Sequence, residues 1–121
     1  MPRLLCLVVE QGPYGSINPA EAIRHAGGAL GKGWEVVLAF LGNSVYTALP
    51  RQSPPPGEWL SLSEALTKLI ADGKERVRVL AEAGSLDACR ISAKDMVSGV
   101  QRASAGDIAR VIAECDRALL F

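Results

Sequence analysis

The amino-acid sequence predicts a single three-layer α/β domain with a five-stranded, mostly parallel sheet and helices on both faces. The chain has 121 residues, which is the length of one domain. Apolar runs alternate with helix-like segments in the order β, α, β, α, β, α, β, α, β, and this alternation is typical of a mostly parallel sheet. The first run, residues 3–10, is nearly continuous Leu and Val, as expected of a strand buried on both faces.

The individual elements follow from this pattern in chain order. Strands are predicted at residues 3–10, 34–41, 76–81, 97–103 and 117–121. Helices are predicted at residues 19–30, 61–73 and 85–89 and from residue 105, with a short helical turn at 45–49. Asn18, followed by Pro19 and Glu21, has the pattern of a helix N-cap with a residue that reaches back to it. We expect the first strand to lie at the centre of the sheet.

A proline-rich stretch interrupts the pattern inside the domain. Pro54, Pro55 and Pro56 are consecutive and Trp59 follows them, so this segment is expected to form a stiff, exposed loop. An exposed Trp can anchor a partner protein, and a loop that folds back over the sheet edge would also explain it. Both interpretations stay open.

Charge and hydrophobicity exclude two classes of partner. The 13 basic residues are balanced by 13 acidic ones, whereas nucleic-acid binding depends on an excess of Lys and Arg. The longest apolar run, residues 4–9, is far shorter than the roughly 20 residues that cross a bilayer. We therefore expect neither a nucleic-acid partner nor a membrane segment.

The cysteines and the histidine give no sign of a metal or disulfide framework. Cys6, Cys89 and Cys115 are too few and too scattered, and their spacing suits a reducing compartment such as the cytoplasm. Cys6 lies in the first strand and Cys115 on the apolar face of the last helix, so both are expected to be buried. His25 has no partner at metal or triad spacing and is expected to be structural or exposed. No dinucleotide or phosphate-loop motif is present, so we expect no cofactor.

The chain also carries a series of short motifs between its helices and strands. They are the small-residue-rich segment 26–33, the strand 35–41 ending in Phe-Leu, the turn Gly42-Asn43-Ser44-Val45, the segment Ala48-Leu49-Pro50 and the closing strand 116–121. Together they resemble the DsrE/DsrF/TusC-like sulfur-relay family over almost the whole chain, and Ala-Leu-Pro is particularly similar to its TusC/DsrF branch. The resemblance implies a cytoplasmic protein that works in oligomers, often hetero-oligomers of related DsrE-family subunits.

The resemblance also identifies the position that matters most for chemistry. Sulfur-carrying members keep a reactive cysteine just after the third strand, and an ungapped alignment from Asp95 places Glu82 there. A carboxylate cannot carry a persulfide, so this alignment implies a non-catalytic or accessory subunit of a sulfur-relay or sulfur-oxidation assembly. A gapped alignment instead gives the role to Cys89, whose thiol would need a lowered pKa from Arg90 or Lys94. It would make the chain a sulfurtransferase.

Ligand-binding candidates come from the places where the predicted strands end, because parallel sheets bind ligands outside the carboxyl ends of their strands. They are Tyr14, Ser16, Asn43 and Glu82. Tyr14 and Ser16 precede a helix N-terminus, which is a potential anion site, and Asn43 follows the second strand. A small-ligand-binding homo-oligomer without a sulfur role is therefore a further alternative. With this apolar composition we expect a dimer or larger assembly.

Overall fold

The structure, a computed structural model, describes residues 2–54, 56 and 61–121 and shows a five-stranded sheet among them. Its strands are β1 (Leu4–Val9), β2 (Glu35–Phe40), β3 (Val77–Glu82), β4 (Val100–Ala103) and β5 (Arg117–Leu120). They lie in the order β4-β3-β2-β1-β5, and every neighbouring pair is parallel. The predicted sheet is confirmed. The expectation that strand one is central is wrong, because only β5 adds beyond β1, which leaves β2 in the middle.

Four α-helices in the described residues cover the two faces of the sheet. They are α1 (Asn18–Gly31), α2 (Leu62–Gly73), α3 (Ala83–Ala88) and α4 (Ala105–Glu114). The first three pack on one face, and α4 alone packs on the other. The prediction of helices on both faces is confirmed, with an unequal share on each face.

Alternation along the strands divides the core between these two faces. In β1, Leu5, Leu7 and Val9 join the larger cluster with α1 and α2, whereas Cys6 and Val8 join the smaller cluster under α4. β2 divides in the same way, and the residues of its second half are fully buried. The near-continuous apolar runs in the sequence therefore reflect strands that are covered on both sides.

Serine side chains cap two of the helices, α2 and α4. Ser61 Oγ accepts a hydrogen bond from the backbone N–H of Glu64 at 3.4 Å, at the start of α2. Ser104 Oγ accepts from the N–H of Asp107 at 3.0 Å, at the start of α4. Each cap satisfies one of the amide groups that the first helical turn leaves without an intrahelical acceptor.

The predicted cap of α1 is wrong. The cap position is Ile17, which offers no side-chain acceptor, and Asn18 is already the first residue of the helix. Ser16 Oγ accepts from the N–H of Asn18 at 3.1 Å instead. Glu21 does not reach back either, because its carboxylate forms a salt bridge with Arg24 at 2.7 Å.

The loops differ from the prediction in detail. A 3-10 helix, Gly42–Ala48, replaces the short turn predicted at 45–49 and begins directly after β2. β4 begins at Val100 rather than at residue 97, because Gly99 adopts a φ of 97°, which an extended strand does not accommodate. Pro54 is half-buried and Pro56 is exposed, while Pro55 and Trp59 lie outside the described residues. Across the described part of the chain, no helix combines the length and apolar character needed to cross a bilayer.

Gly73, at the end of α2, provides a test of the packing between helix and sheet. A Cβ atom there would lie 2.5 Å from Val77 Cγ1 and 3.0 Å from Leu30 Cδ1, although the backbone φ of −80° suits any residue. Gly73→Ala should lower the free energy of unfolding by about 1–3 kcal/mol through overpacking. Gly27→Ala is the matched control, since its added methyl meets nothing within 4 Å. It should raise stability by about 0.5–1 kcal/mol through helix propensity.

Urea denaturation of both variants measures this difference. Equal stabilities for Gly73→Ala and the wild type would show that α2 does not approach β3 as closely as the structure places it.

Candidate functional site

The elements that follow β2 and β3 are hydrogen-bonded to each other at the carboxyl edge of the sheet. The N–H of Gly42, the first residue of the 3-10 helix, donates to Ser85 Oγ at 2.8 Å. Ser85 Oγ in turn donates to Glu82 Oε1 at 2.7 Å. We call these three residues the Gly42–Ser85–Glu82 chain. Since Ser85 is buried, this chain fixes α3 and the end of β3 relative to the end of β2.

Glu82 is the residue that the ungapped alignment places at the cysteine position. It is the last residue of β3 and the cap residue of α3, and it is half-buried. One carboxylate oxygen is held by Ser85, while Oε2 has no hydrogen-bond partner among the described residues. The side chain therefore offers a fixed, negatively charged acceptor at the edge where a parallel sheet binds ligands.

Asn43 and the end of β1 are brought to the same edge. Ser44 is fully buried, and its Oγ lies 2.6 Å from the carbonyl oxygen of Val9 and 2.7 Å from that of Leu41. A Cβ on Gly12, in the loop after β1, would lie 3.5 Å from Asn43 Cβ. The exposed Asn43 thus stands between the loop after β1 and the Gly42–Ser85–Glu82 chain.

The other two predicted ligand residues have structural partners. The Tyr14 hydroxyl donates to Gln52 Oε1 at 2.6 Å and accepts from the N–H of Leu62 at 3.0 Å, at the start of α2. The Ser16 hydroxyl accepts from the N–H of Asn18. Neither hydroxyl is bonded to the Gly42–Ser85–Glu82 chain, so the structure brings Asn43 and Glu82 to the strand ends and uses Tyr14 and Ser16 to hold helices.

Gln52 and Ser85 hold the surrounding segments in place, and neither was identified from the sequence as doing so. Gln52 Nε2 lies 2.9 Å from the carbonyl oxygens of both Thr47 and Leu49, and its Oε1 also accepts from the N–H of Ser63 at 3.1 Å. Nothing in the local sequence marks this glutamine, because its partners come from three separate segments. For Ser85 a local signal did exist, since it lies three residues after Glu82 at the start of a short helix.

Cys89 ends α3 and is half-buried against the larger core cluster. The hydroxyl of Tyr46 is its neighbour. A hydrogen bond to Cys89, together with the charge of its thiolate, raises the pKa of Tyr46, because a phenol that donates to sulfur keeps its proton. In the described residues, neither Arg90 nor Lys94 forms a hydrogen bond or salt bridge with this cysteine.

The remaining cysteines differ from each other in burial. Cys6 is completely buried, as predicted. Cys115 is only half-buried, so its prediction is wrong: it follows the last residue of α4, where the chain turns toward β5, and its Sγ donates to the carbonyl of Ile112 at 3.0 Å. Burial, with a smaller effect of the Cys115 charge, raises the pKa of Cys6 to about 11, against an opposing effect of Arg78.

His25 lies within α1. Its Nδ1 is 2.8 Å from the carbonyl oxygen of Glu21, and its ring lies 5.2 Å from that of Phe121. Within residues 2–54, 56 and 61–121, no three His, Cys, Asp or Glu side chains group closely enough to hold a metal ion.

Comparison with known proteins gives consistent results. A family model described as the DsrE/DsrF-like family matches residues 4–121. The uncharacterized protein MK0008 of Methanopyrus kandleri is 28% identical over 118 residues, which cover 98% of this chain and 93% of that protein. The family match therefore extends over nearly the whole chain.

Two solved structures share the fold. The ychN protein from E. coli superposes with a TM-score of 0.85 at 22% identity, covering 100% of both chains. The protein of unknown function MTH1491 from Methanobacterium thermoautotrophicum superposes with a TM-score of 0.78 at 15% identity, covering 98% of this chain and 99% of that one. At these identities the likeness is one of fold.

Ser85→Ala tests the Gly42–Ser85–Glu82 chain. The substitution removes the acceptor of the Gly42 N–H and the donor to Glu82, and should lower the free energy of unfolding by about 1–3 kcal/mol. Ser98→Ala is the control, because Ser98 is exposed and makes no hydrogen bond among the described residues, and it should change stability little. Urea denaturation that finds the two variants equally stable would contradict a structural role for Ser85.

Cys6 should make stability dependent on pH at alkaline values. Its folded-state pKa, about 11, lies above the ordinary value of 9.0, so the unfolded chain loses this proton first and the contribution to stability falls as pH rises from 9 to 11. The loss at the upper end should be about 2–3 kcal/mol. It is measured as the difference in free energy of unfolding between the wild type and Cys6→Ala, obtained by denaturation at each pH. Parallel curves for wild type and Cys6→Ala would refute it.

Proposed function

Because this chain belongs to the DsrE/DsrF-like family, we propose that it is an accessory, non-catalytic subunit of a sulfur-relay or sulfur-oxidation assembly. A sulfur-relay-type protein is what the family supports, and the subunit role is the further step. The observation that carries this step is Glu82. It stands at the end of β3, at the family's cysteine position in the ungapped alignment, with its carboxylate held by Ser85.

The chemistry of relay explains why Glu82 matters. A relay thiolate accepts sulfur as a persulfide and passes it to another thiolate, and a carboxylate has no sulfur with which to do so. Its negative charge also repels an approaching thiolate or persulfide. In this proposal the reactive thiol is supplied by a related subunit, and this chain supports the assembly.

Exposed apolar side chains on the sheet edge support association with related subunits. Leu119 and Leu120 of β5 are 43% and 69% exposed, and Ile112 of α4 is 36% exposed. β5 is an edge strand, whose outer backbone groups are open to further pairing. We propose that the chain works as a homo- or hetero-oligomer with DsrE-family subunits in the cytoplasm, where three free thiols are stable.

The second candidate function is a sulfurtransferase that uses Cys89. The observation that favours it is the contact between Cys89 and the Tyr46 hydroxyl, which places a hydrogen-bonding group beside the sulfur. Cys89 is also partly accessible, whereas Cys6 is buried. This candidate differs from the first in a way that mass spectrometry resolves.

The test is sulfur transfer from a cysteine desulfurase and its substrate, read by intact mass. We expect no gain of a sulfur atom by the isolated chain, because its position after β3 holds a carboxylate. We expect Glu82→Cys to take up one sulfur if the site geometry is otherwise intact. Ser98→Cys is the matched control for nonspecific uptake, because Ser98 is exposed and lies just before the start of β4, at the end of the sheet opposite to Glu82.

Three outcomes discriminate between the candidates. Uptake by the wild type that is lost in Cys89→Ser would replace the accessory role with the Cys89 sulfurtransferase. Sulfur on a related subunit that co-purifies from the native host, with none on this chain, supports the accessory role. Purification of the chain from its host without any related subunit, and with no uptake by Glu82→Cys, would instead favour a ligand-binding homo-oligomer.

A further inference from the structure

A groove of about 610 Å³ lies between α2 and the segment 50–54, separate from the Gly42–Ser85–Glu82 chain. Its volume falls within the roughly 300–1,000 Å³ of small-molecule sites. Pro50, Pro54, Ala71 and Val97 contribute its apolar lining. A groove with this lining accepts a small ligand with an apolar part.

The wall formed by segment 50–54 is fixed in place before any ligand binds. Gln52 joins this segment to the carbonyls of Thr47 and Leu49, to Tyr14 and to the N–H of Ser63 in α2. Proline at position 50 further restricts the backbone. A preformed wall of this kind lowers the entropy cost of binding.

The two walls carry opposite charges that the protein leaves unmatched. Arg51 lines the groove from the loop side, and Glu64 lines it from α2. Neither has a salt-bridge partner among the described residues, and the two are not bridged to each other. Lys68, which also lines the groove, is already paired with Asp72 at 2.8 Å.

Arg51 is held at this wall in an uncommon backbone conformation. Its φ is 61°, in the left-handed region that disfavours residues other than glycine. The hydrogen bonds of the adjacent Gln52 account for this conformation, because they fix the chain immediately after Arg51.

The start of α2 does not supply the attraction for a ligand. The amide groups of Leu62, Ser63 and Glu64 already donate to Tyr14, Gln52 and Ser61. The charges available to a ligand are therefore those of the Arg51 and Glu64 side chains.

From this arrangement we propose that the groove binds a small zwitterion, a free amino acid or short peptide. Its carboxylate binds the Arg51 guanidinium, its ammonium group binds the Glu64 carboxylate, and its apolar part lies against the proline wall and Val97. Arginine suits the first contact because its planar donors match a carboxylate. The proposal does not depend on Glu82 or Cys89, so it stands or fails independently of the sulfur-relay role.

The test is an NMR titration of the ¹⁵N-labelled protein with trialanine. We expect saturable shift changes at Arg51, Glu64, Lys68 and Val97, with a Kd of about 1 mM or tighter. N-acetyl-trialanine lacks the ammonium group and trialaninamide lacks the carboxylate, so each should bind about tenfold more weakly or worse. Shift changes that do not saturate by about 10 mM trialanine, or that are confined to another surface, would overturn the proposal.

Charge-removing variants identify the two contacts. Arg51→Gln and Glu64→Gln should each weaken trialanine binding about tenfold. Arg51→Gln should leave the binding of trialaninamide unchanged, because trialaninamide has no carboxylate to contact Arg51. Arg78→Gln and Glu75→Gln, at exposed positions outside the groove, are the controls and should bind as the wild type does. Equal binding of trialanine and its two blocked forms would show that the charges are not recognised and would also refute the proposal.

Discussion

Parallel pairing of β1, β2 and β3 is the constraint on which the rest of the structure depends. β1 and β2 are buried on both faces and β3 is buried from Val79 to Ala81, so their backbone groups must be paired within the sheet. Parallel strands require a crossover between each pair, and every crossover returns the chain to the same edge. The turns after the strands therefore meet at one edge, and this meeting allows Ser85 to bridge Gly42 and Glu82.

The same constraint decides which chemistry the site supports. Glu82 is the last residue of β3. The pairing of β3 with β2, in which the neighbouring Ala81 lies opposite Phe40, therefore sets the position of Glu82, and no mobile loop is involved. Cys89 lies beyond the end of α3, one short helix away, where its orientation depends on α3 and on the 3-10 helix that carries Tyr46. The end of β3 thus holds the Glu82 carboxylate rigidly. The Cys89 thiol lies at the opposite end of α3 from Glu82.

The strands were predictable because burial on both faces leaves a direct trace in the sequence. Residues 4–9 and 35–40 are apolar almost without a break, and these runs became β1 and β2. The caps of α2 and α4, Ser61 and Ser104, depend on contacts three residues apart, and the starts of both helices were predicted to within one residue. Asn18 failed as a cap because the helix begins one residue earlier than predicted, so Asn18 is its first residue and Ile17 is at the cap position. Which strand lies at the centre of the sheet cannot be read from local sequence, because it depends on β5 pairing with the outer side of β1.

The site was less predictable than the fold for the same reason. Glu82 and Asn43 follow strands and could be placed at the carboxyl edge from the sequence. The side-chain hydrogen-bond partners of Gln52 lie between 3 residues (Leu49) and 38 residues (Tyr14) away along the chain, so no short pattern contains them all. Cys115 was expected to be buried with its helix face, but the helix ends before it, and a one-residue change of boundary exposes a side chain at the rim.

The unequal covering of the sheet has a consequence for motion. One face is covered by three helices, whereas the other depends on α4, whose buried side chains in the core are Ile108 and Val111. Local unfolding separates first where the fewest buried contacts hold an element. Detachment of α4 uncovers the face of β1 that α4 covers, and Cys6 lies on this face. The helices on the opposite face stay in place. The alkylation rate of Cys6 therefore reports how often α4 alone detaches from the sheet.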